Sequence, residues 1–129
     1  MGTAAQSHPT RAVLVVDDEE LICRLTARIL EDAGFRVLEA HSGEEAIAVL
    51  ASVPGEVQLV VSDIAMPGMS GQALAEAVAI RWPAVPVLLM SGQGGPKSGY
   101  RGAFLPKPFT ADALLAAAAN LSALPPQGG

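Results

Sequence analysis

Three short apolar runs punctuate this chain, and each stops abruptly at a polar residue. AVLVV (12–16) meets four acids, Asp17 to Glu20; VQLVVSD (57–63) ends on Ser62 and Asp63; VPVLLMS (85–91) ends on Ser91. A strand with one face in water alternates apolar and polar residues, so runs this continuous fit strands buried on both faces. Such strands need helices above and below them, and the intervening sequence supplies the signals. Leu21, Ile22, Leu25, Ile29 and Leu30 recur at helical spacing over 19–33, and Gly34 ends that segment. FRVLEA (35–40) reads as another strand. Ser42 followed by Glu45 is a capping-box start for a helix over 43–52. Ser70 is placed to cap a helix over 71–82, closed by Pro83. GAFLP (102–106) is a short last strand, and Thr110 opens a helix over 111–123 with Asp112 in its first turn.

Strands alternating with helices define an α/β class: a parallel five-stranded sheet between two helical layers, with right-handed connections. A length of 129 residues suits one domain. We read residues 1–10 as a flexible arm, 11–124 as the domain and 125–129 as a tail. The one cysteine, Cys23, permits no internal disulfide and falls inside an apolar helical pattern, where it reads as a packing residue. No apolar run approaches the ~20 residues of a membrane span, and the first residues lack the plan of a signal peptide. The expectation is a cytoplasmic protein without membrane insertion. Eight basic against 13 acidic residues give a formal charge of −5, which argues against a nucleic-acid partner.

In open parallel sheets the ligand crevice lies beyond the carboxyl ends of the strands. The residues at those ends are Asp17 and Asp18 on the first strand, Asp63 on the third, Ser91 on the fourth and Lys107 on the fifth. Each alone is ordinary: an Asp after a strand often caps a turn, and a Lys between prolines is usually a solvated loop residue. Together they converge on one rim. Three carboxylates make a hard, oxygen-lined site of the kind Mg²⁺ takes. An ammonium and a hydroxyl beside it offer what a phosphoryl group needs. A carboxylate can itself be the nucleophile and form an acyl phosphate. The constellation reads as metal-assisted phosphoryl transfer onto an aspartate.

On these residues the chain resembles the receiver domain of two-component response regulators. VLVVDDEELI, LVVSDIAMPGMSG, VPVLLMSG and FLPKPF carry the resemblance over residues 13–109. It implies a flavodoxin-like fold with strand order 2-1-3-4-5. It implies that Asp63 is the phosphorylated aspartate. Asp17 and Asp18 would be the acidic pair, Asp18 the more direct ligand of Mg²⁺ (or of Mn²⁺ in its place) and Asp17 acting mostly through water. The backbone carbonyl of Ala65 would be a further metal ligand. Ser91 and Lys107 would meet the phosphoryl group, Lys107–Pro108 would be cis, and Phe104 would be the aromatic switch residue. The implied donor is a phosphohistidine on a sensor histidine kinase or a histidine phosphotransfer protein, and a downstream protein would read the altered surface around the fourth and fifth strands. Ala65 and Gln93 would line the path of the hydrolytic water; both are uncharged, which implies neither a strong base nor a strong block.

One segment departs from that pattern. Only 16 positions separate Ser91 from Lys107, roughly six fewer than the family's usual connection, or more than one helical turn. The segment GQGGPKSGYRGA is rich in glycine and carries Pro96, both unfavourable in a helix interior. The expectation is that the family's fourth helix is missing or very short, and that Tyr100 packs its ring over the exposed edge of the sheet. No output-domain motif follows in the given sequence, so the chain reads either as a stand-alone receiver or as a receiver from a larger protein such as a hybrid kinase. Two other readings have to be weighed. A non-phosphorylated pseudo-receiver acting as a binding module predicts damage to the acid pocket or to Lys107, and none is visible. A haloacid-dehalogenase-type phosphatase wants Asp-x-Asp on its first strand, where this chain has adjacent acids, and needs a cap for which there is no room.

Overall fold

Adjacent residues of the first strand go to opposite sides of the sheet, and this organises the whole core. In the computed structural model, which describes residues 11–92, 95, 96, 100 and 102–122, strand β1 (Ala12–Val16) is fully buried. Val13 and Val15 join Leu59, Val61, Leu88, Met90 and Leu114 in one apolar cluster. Leu14 and Val16 join Ala46, Leu50, Val60, Leu74 and Val78 in another. Two cores, one on each face, are why the run is continuous rather than alternating.

The remaining elements are α1 (Glu20–Asp32), β2 (Arg36–Ala40), α2 (Gly43–Ser52), β3 (Val57–Asp63), α3 (Gly71–Arg81), β4 (Val87–Ser91), β5 (Ala103–Pro106) and α4 (Ala111–Leu121). All strand pairs are parallel, in the order β2-β1-β3-β4-β5. This is the flavodoxin-like sandwich expected, with α1 and α4 contributing to the core on one face and α2 and α3 to that on the other. The three caps form as read: Ser42, Ser70 and Thr110 accept from the backbone N–H groups of Glu45, Ala73 and Ala113 at 3.0, 3.1 and 3.0 Å. Several elements are a residue or two shorter than expected, as helix and strand ends usually are.

A missing or very short helix is expected after β4, and no described residue of that connection is helical. Gly92, Gly95, Pro96, Tyr100 and Gly102 are all non-helical; Gln93 and the rest of the connection lie outside the described residues. The hydroxyl of Tyr100 donates to the carbonyl of Ala103 at 2.8 Å, at the start of β5. Beside it runs a groove of about 510 Å³ along α3, lined by Gln72, Glu76, Pro86, Tyr100 and Gly102 among others. The expected arm (1–10) and tail (125–129) also fall outside the described residues. Among those described, no helix is long and apolar enough to cross a membrane.

The apolar residues at helical spacing in α1 are not all buried. The residues it buries are Cys23, Thr26, Ala27 and Leu30, whereas Leu21 and Leu25 are 72% and 55% exposed. The apolar stripe is wider than the contact that the sheet offers.

Candidate functional site

Because the sheet is parallel, the carboxyl ends of β1, β3, β4 and β5 open on one rim. Asp17 directly follows β1, and its N–H donates to the carbonyl of Ala40 at the end of β2 (3.1 Å). Its side chain turns into the rim and is 2% exposed. Oδ1 accepts from the backbone N–H of Glu19 at 2.9 Å, the local bond that an Asp makes two residues on. Oδ2 is buried with no hydrogen-bond partner. Asp63 closes β3, and the following N–H, of Ile64, is tied to Met90 on β4 (2.9 Å). Asp18 stands exposed at the mouth. One carboxylate oxygen from each of Asp17, Asp18 and Asp63 lies within 4.8 Å of the others.

Lys107 comes from the opposite side of the rim. Its N–H donates to the carbonyl of Ser91 at 2.8 Å, and the Lys107–Pro108 bond is cis. Nζ lies 3.2 Å from Asp63 Oδ1 and 4.0 Å from Asp17 Oδ2. The longer distance is an ion pair but no hydrogen bond. Ser91 is buried at the end of β4, one strand from Asp63. Ala65 lies exposed two residues past Asp63. Phe104 is partly buried on the edge strand β5, and a Cβ on Gly95 would stand 3.3 Å from its ring.

The electrostatics leave this group short of positive charge. Three carboxylates face one ammonium. Burial pushes the Asp17 carboxyl above its usual range; the Glu19 N–H opposes this, Asp63 and Asp18 add to it, and Lys107 opposes it. A buried carboxylate oxygen without a donor, among oxygens this close, fits a hard divalent cation. Cys23 takes no part: its Sγ is buried against the carbonyls of Val15 and Ala40.

Sequence reasoning placed Asp17, Asp18, Asp63, Ser91 and Lys107 together, and the fold brings them together. It did not place His41 at the rim, where its Nδ1 lies 3.3 Å from the Asp17 carbonyl. The available signal was its position just after β2, which the parallel order sets beside β1.

A family model described as the response regulator receiver domain matches residues 13–119. The chain belongs to this family. It is a signalling domain of two-component systems, and the receiver has clear relatives. It is 41% identical over 110 residues to the DNA-binding transcriptional regulator NtrC of Salmonella typhimurium, covering 81% of this chain and 23% of the relative. It is 36% identical over 105 residues to the sensor kinase CckA of Brucella abortus, covering 76% of this chain and 11% of the relative. The receiver thus spans under a quarter of these longer proteins. Among solved structures, the response regulator TrrA of Thermotoga maritima, in complex with Mg²⁺ and a beryllium fluoride, superimposes with a TM-score of 0.74 at 30% identity, over 86% of this chain and 98% of that one.

Proposed function

We propose that the receiver accepts a phosphoryl group on Asp63 from a phosphohistidine of a sensor histidine kinase or phosphotransfer protein. The observation that carries this reading is the pairing of Asp63 with Lys107 at 3.2 Å beside an acid pair whose inner member, Asp17, has an unpartnered buried oxygen. Mg²⁺ is the cation best suited to that oxygen set; Asp17, Asp18, Asp63 and the Ala65 carbonyl would hold it, and Mn²⁺ would substitute. Bound there, it neutralises charge on the phosphoryl oxygens.

The chemistry of the chain's own groups follows. An Asp63 carboxylate oxygen attacks phosphorus, the P–N bond breaks, and the imidazole leaves with the electron pair and takes up a proton. An acyl phosphate remains on Asp63. Lys107 stands ready to offset its added charge, and Ser91 is one strand away as a hydroxyl donor. Recruiting both draws the ends of β4 and β5 toward the site, and Phe104 on β5 moves with them. Water later attacks phosphorus, releases phosphate and restores the carboxylate. The domain assists these steps on itself and is no multiple-turnover enzyme.

Partner docking has a surface to use. A groove of about 430 Å³ runs from Lys107, Pro108 and Phe109 to Ile22, Leu25 and Ile29 on α1, and Leu25 in its wall is exposed. A helix bearing a phosphohistidine would bury Leu25 while reaching Asp63. The domain spans residues 11–124 in this reading and works in the cytoplasm, where phosphohistidine donors act.

The test is an amide NMR titration with Mg²⁺, then beryllofluoride as a phosphoryl mimic, on wild type and Asp63→Asn. Mg²⁺ should shift Asp17, Asp18 and Asp63, and the mimic should shift Ser91, Phe104 and Lys107 in wild type alone. A rim that moves with neither addition would make the domain a binding module instead.

A further inference from the structure

Two glycines that need no special backbone conformation sit where a side chain cannot fit. Gly71 opens α3 right after its cap Ser70, and Gly43 opens α2 right after Ser42. Neither is among the described glycines with positive φ, so space rather than backbone freedom selects glycine. A Cβ on Gly71 would stand 2.1 Å from the Asp63 carbonyl oxygen and 2.9 Å from both the Asp63 carbonyl carbon and Ile64 Cα. All of these are backbone atoms, so no rotamer change relieves the clash. The N–H of Gly71 also donates to the Ile64 carbonyl at 2.9 Å. The loop from Asp63 to Gly71 is thereby closed at its base, with the first turn of α3 seated on the peptide that carries Asp63. From α2, a Cβ on Gly43 would stand 2.7, 2.8 and 2.9 Å from Sδ, Cγ and Cβ of Met69 in the same loop. The last of these is fixed to the loop backbone.

We infer that Gly71 and Gly43 are positioning residues for the phosphoacceptor loop. Their missing side chains let α3 and α2 press Asp63 and Ala65 to the height at which the carboxylate meets Lys107 and the acid pair. The functional consequence rests on the reading of Asp63 as phosphoacceptor; the steric coupling does not. Gly71→Ala must push the Asp63 peptide outward. Gly43→Ala must push the loop through Met69, and Met69→Gly in the same chain removes the obstacle.

The test compares Gly71→Ala, Gly43→Ala, Gly43→Ala with Met69→Gly, and Gly55→Ala as control, each in the full chain. Gly55 has φ +78° and nothing within 4 Å of its would-be Cβ, so alanine there strains the backbone without touching the site. Two readouts are taken: carbonyl and amide chemical shifts of residues 63–65 without metal, and the Mg²⁺ dissociation constant. The expected result is that both single variants, Gly71→Ala and Gly43→Ala, move the shifts and weaken Mg²⁺ binding about tenfold or more, as loss of support behind a ligand does. Gly55→Ala should lower the melting temperature yet leave both readouts at wild type, and Met69→Gly should restore both in Gly43→Ala. If Gly71→Ala does not fold, the Gly43 pair decides. Gly43→Ala matching wild type or Gly55→Ala in both readouts, or showing no recovery with Met69→Gly, overturns the inference. A wild type that binds no Mg²⁺ would strike the phosphoacceptor reading instead, while the metal-free shifts still judge the positioning.

Discussion

Lys107 Nζ reaches Asp63 Oδ1 at 3.2 Å across 44 residues of sequence, and it is the one cation paired with the acid cluster among the described residues. It therefore has two effects of opposite sign: it repels a metal ion and attracts a phosphoryl group.

Lys107→Ala separates the two. Mg²⁺ binding should stay as tight as in wild type or tighten, because a like charge has been removed. Phosphorylation of Asp63 should slow about a hundredfold, the usual cost of one lost charge-stabilising donor. Calorimetric Mg²⁺ titration and the rate of phosphoryl incorporation give the two numbers, and a parallel loss of both would contradict the assignment.

Asp17 carries a stability prediction with a definite sign. Burial foremost raises its carboxyl above the ordinary range. The folded protein thus keeps a proton on Asp17 at pH values where the unfolded chain has lost it. Metal-free stability is lowered by ionised Asp17 above that raised pKa, and the penalty shrinks as pH falls from there into the ordinary carboxylate range, below which it is gone. Asp17→Asn should stabilise the metal-free protein at neutral pH by about 1–2 kcal/mol, the scale of one uncompensated buried polar group. Added Mg²⁺ should then stabilise it little, whereas wild type gains. Urea unfolding with and without Mg²⁺ measures both.

The same proton competes with the metal. Mg²⁺ affinity in wild type should begin to fall, as pH is lowered, above the range where an ordinary exposed carboxylate titrates. Binding measured from neutral to mildly acidic pH checks this; an affinity flat down to the normal carboxylate range would contradict it.

The legible and illegible parts of this molecule divide on physical lines. β1 could be read because burial on both faces leaves an unbroken apolar run, and Ser42, Ser70 and Thr110 because a cap is a local bond. The convergence of Asp17, Asp63, Ser91 and Lys107 followed once the strands were taken as parallel. The exposure of Leu21 and Leu25 was not legible, because spacing gives the width of an apolar stripe but not how much of it a neighbour covers. Gly71 beneath Asp63 was out of reach, since its role depends on which backbone the fold lays alongside it.

Cys23 should be chemically silent. It is 0% exposed, and burial, with Glu39 and Asp17 nearby, pushes its thiol up to about 12. An aromatic disulfide reagent should label it only as the domain unfolds, in step with the urea transition. Prompt labelling of the native protein would contradict the packing role.

Ser70→Ala removes the cap at the head of α3, next to the phosphoacceptor loop. Stability should drop by about 1 kcal/mol with the urea slope unchanged, as measured by equilibrium unfolding.

The central claim is the phosphoacceptor role of Asp63, and one measurement addresses it directly. Wild type and Asp63→Asn are incubated with phosphoramidate, a small P–N phosphoryl donor, with and without Mg²⁺, and intact mass is recorded. Wild type should gain a single phosphoryl group only with Mg²⁺, and hydroxylamine should remove it, as expected for an acyl phosphate. No gain in wild type, or an equal gain in Asp63→Asn, would contradict the account.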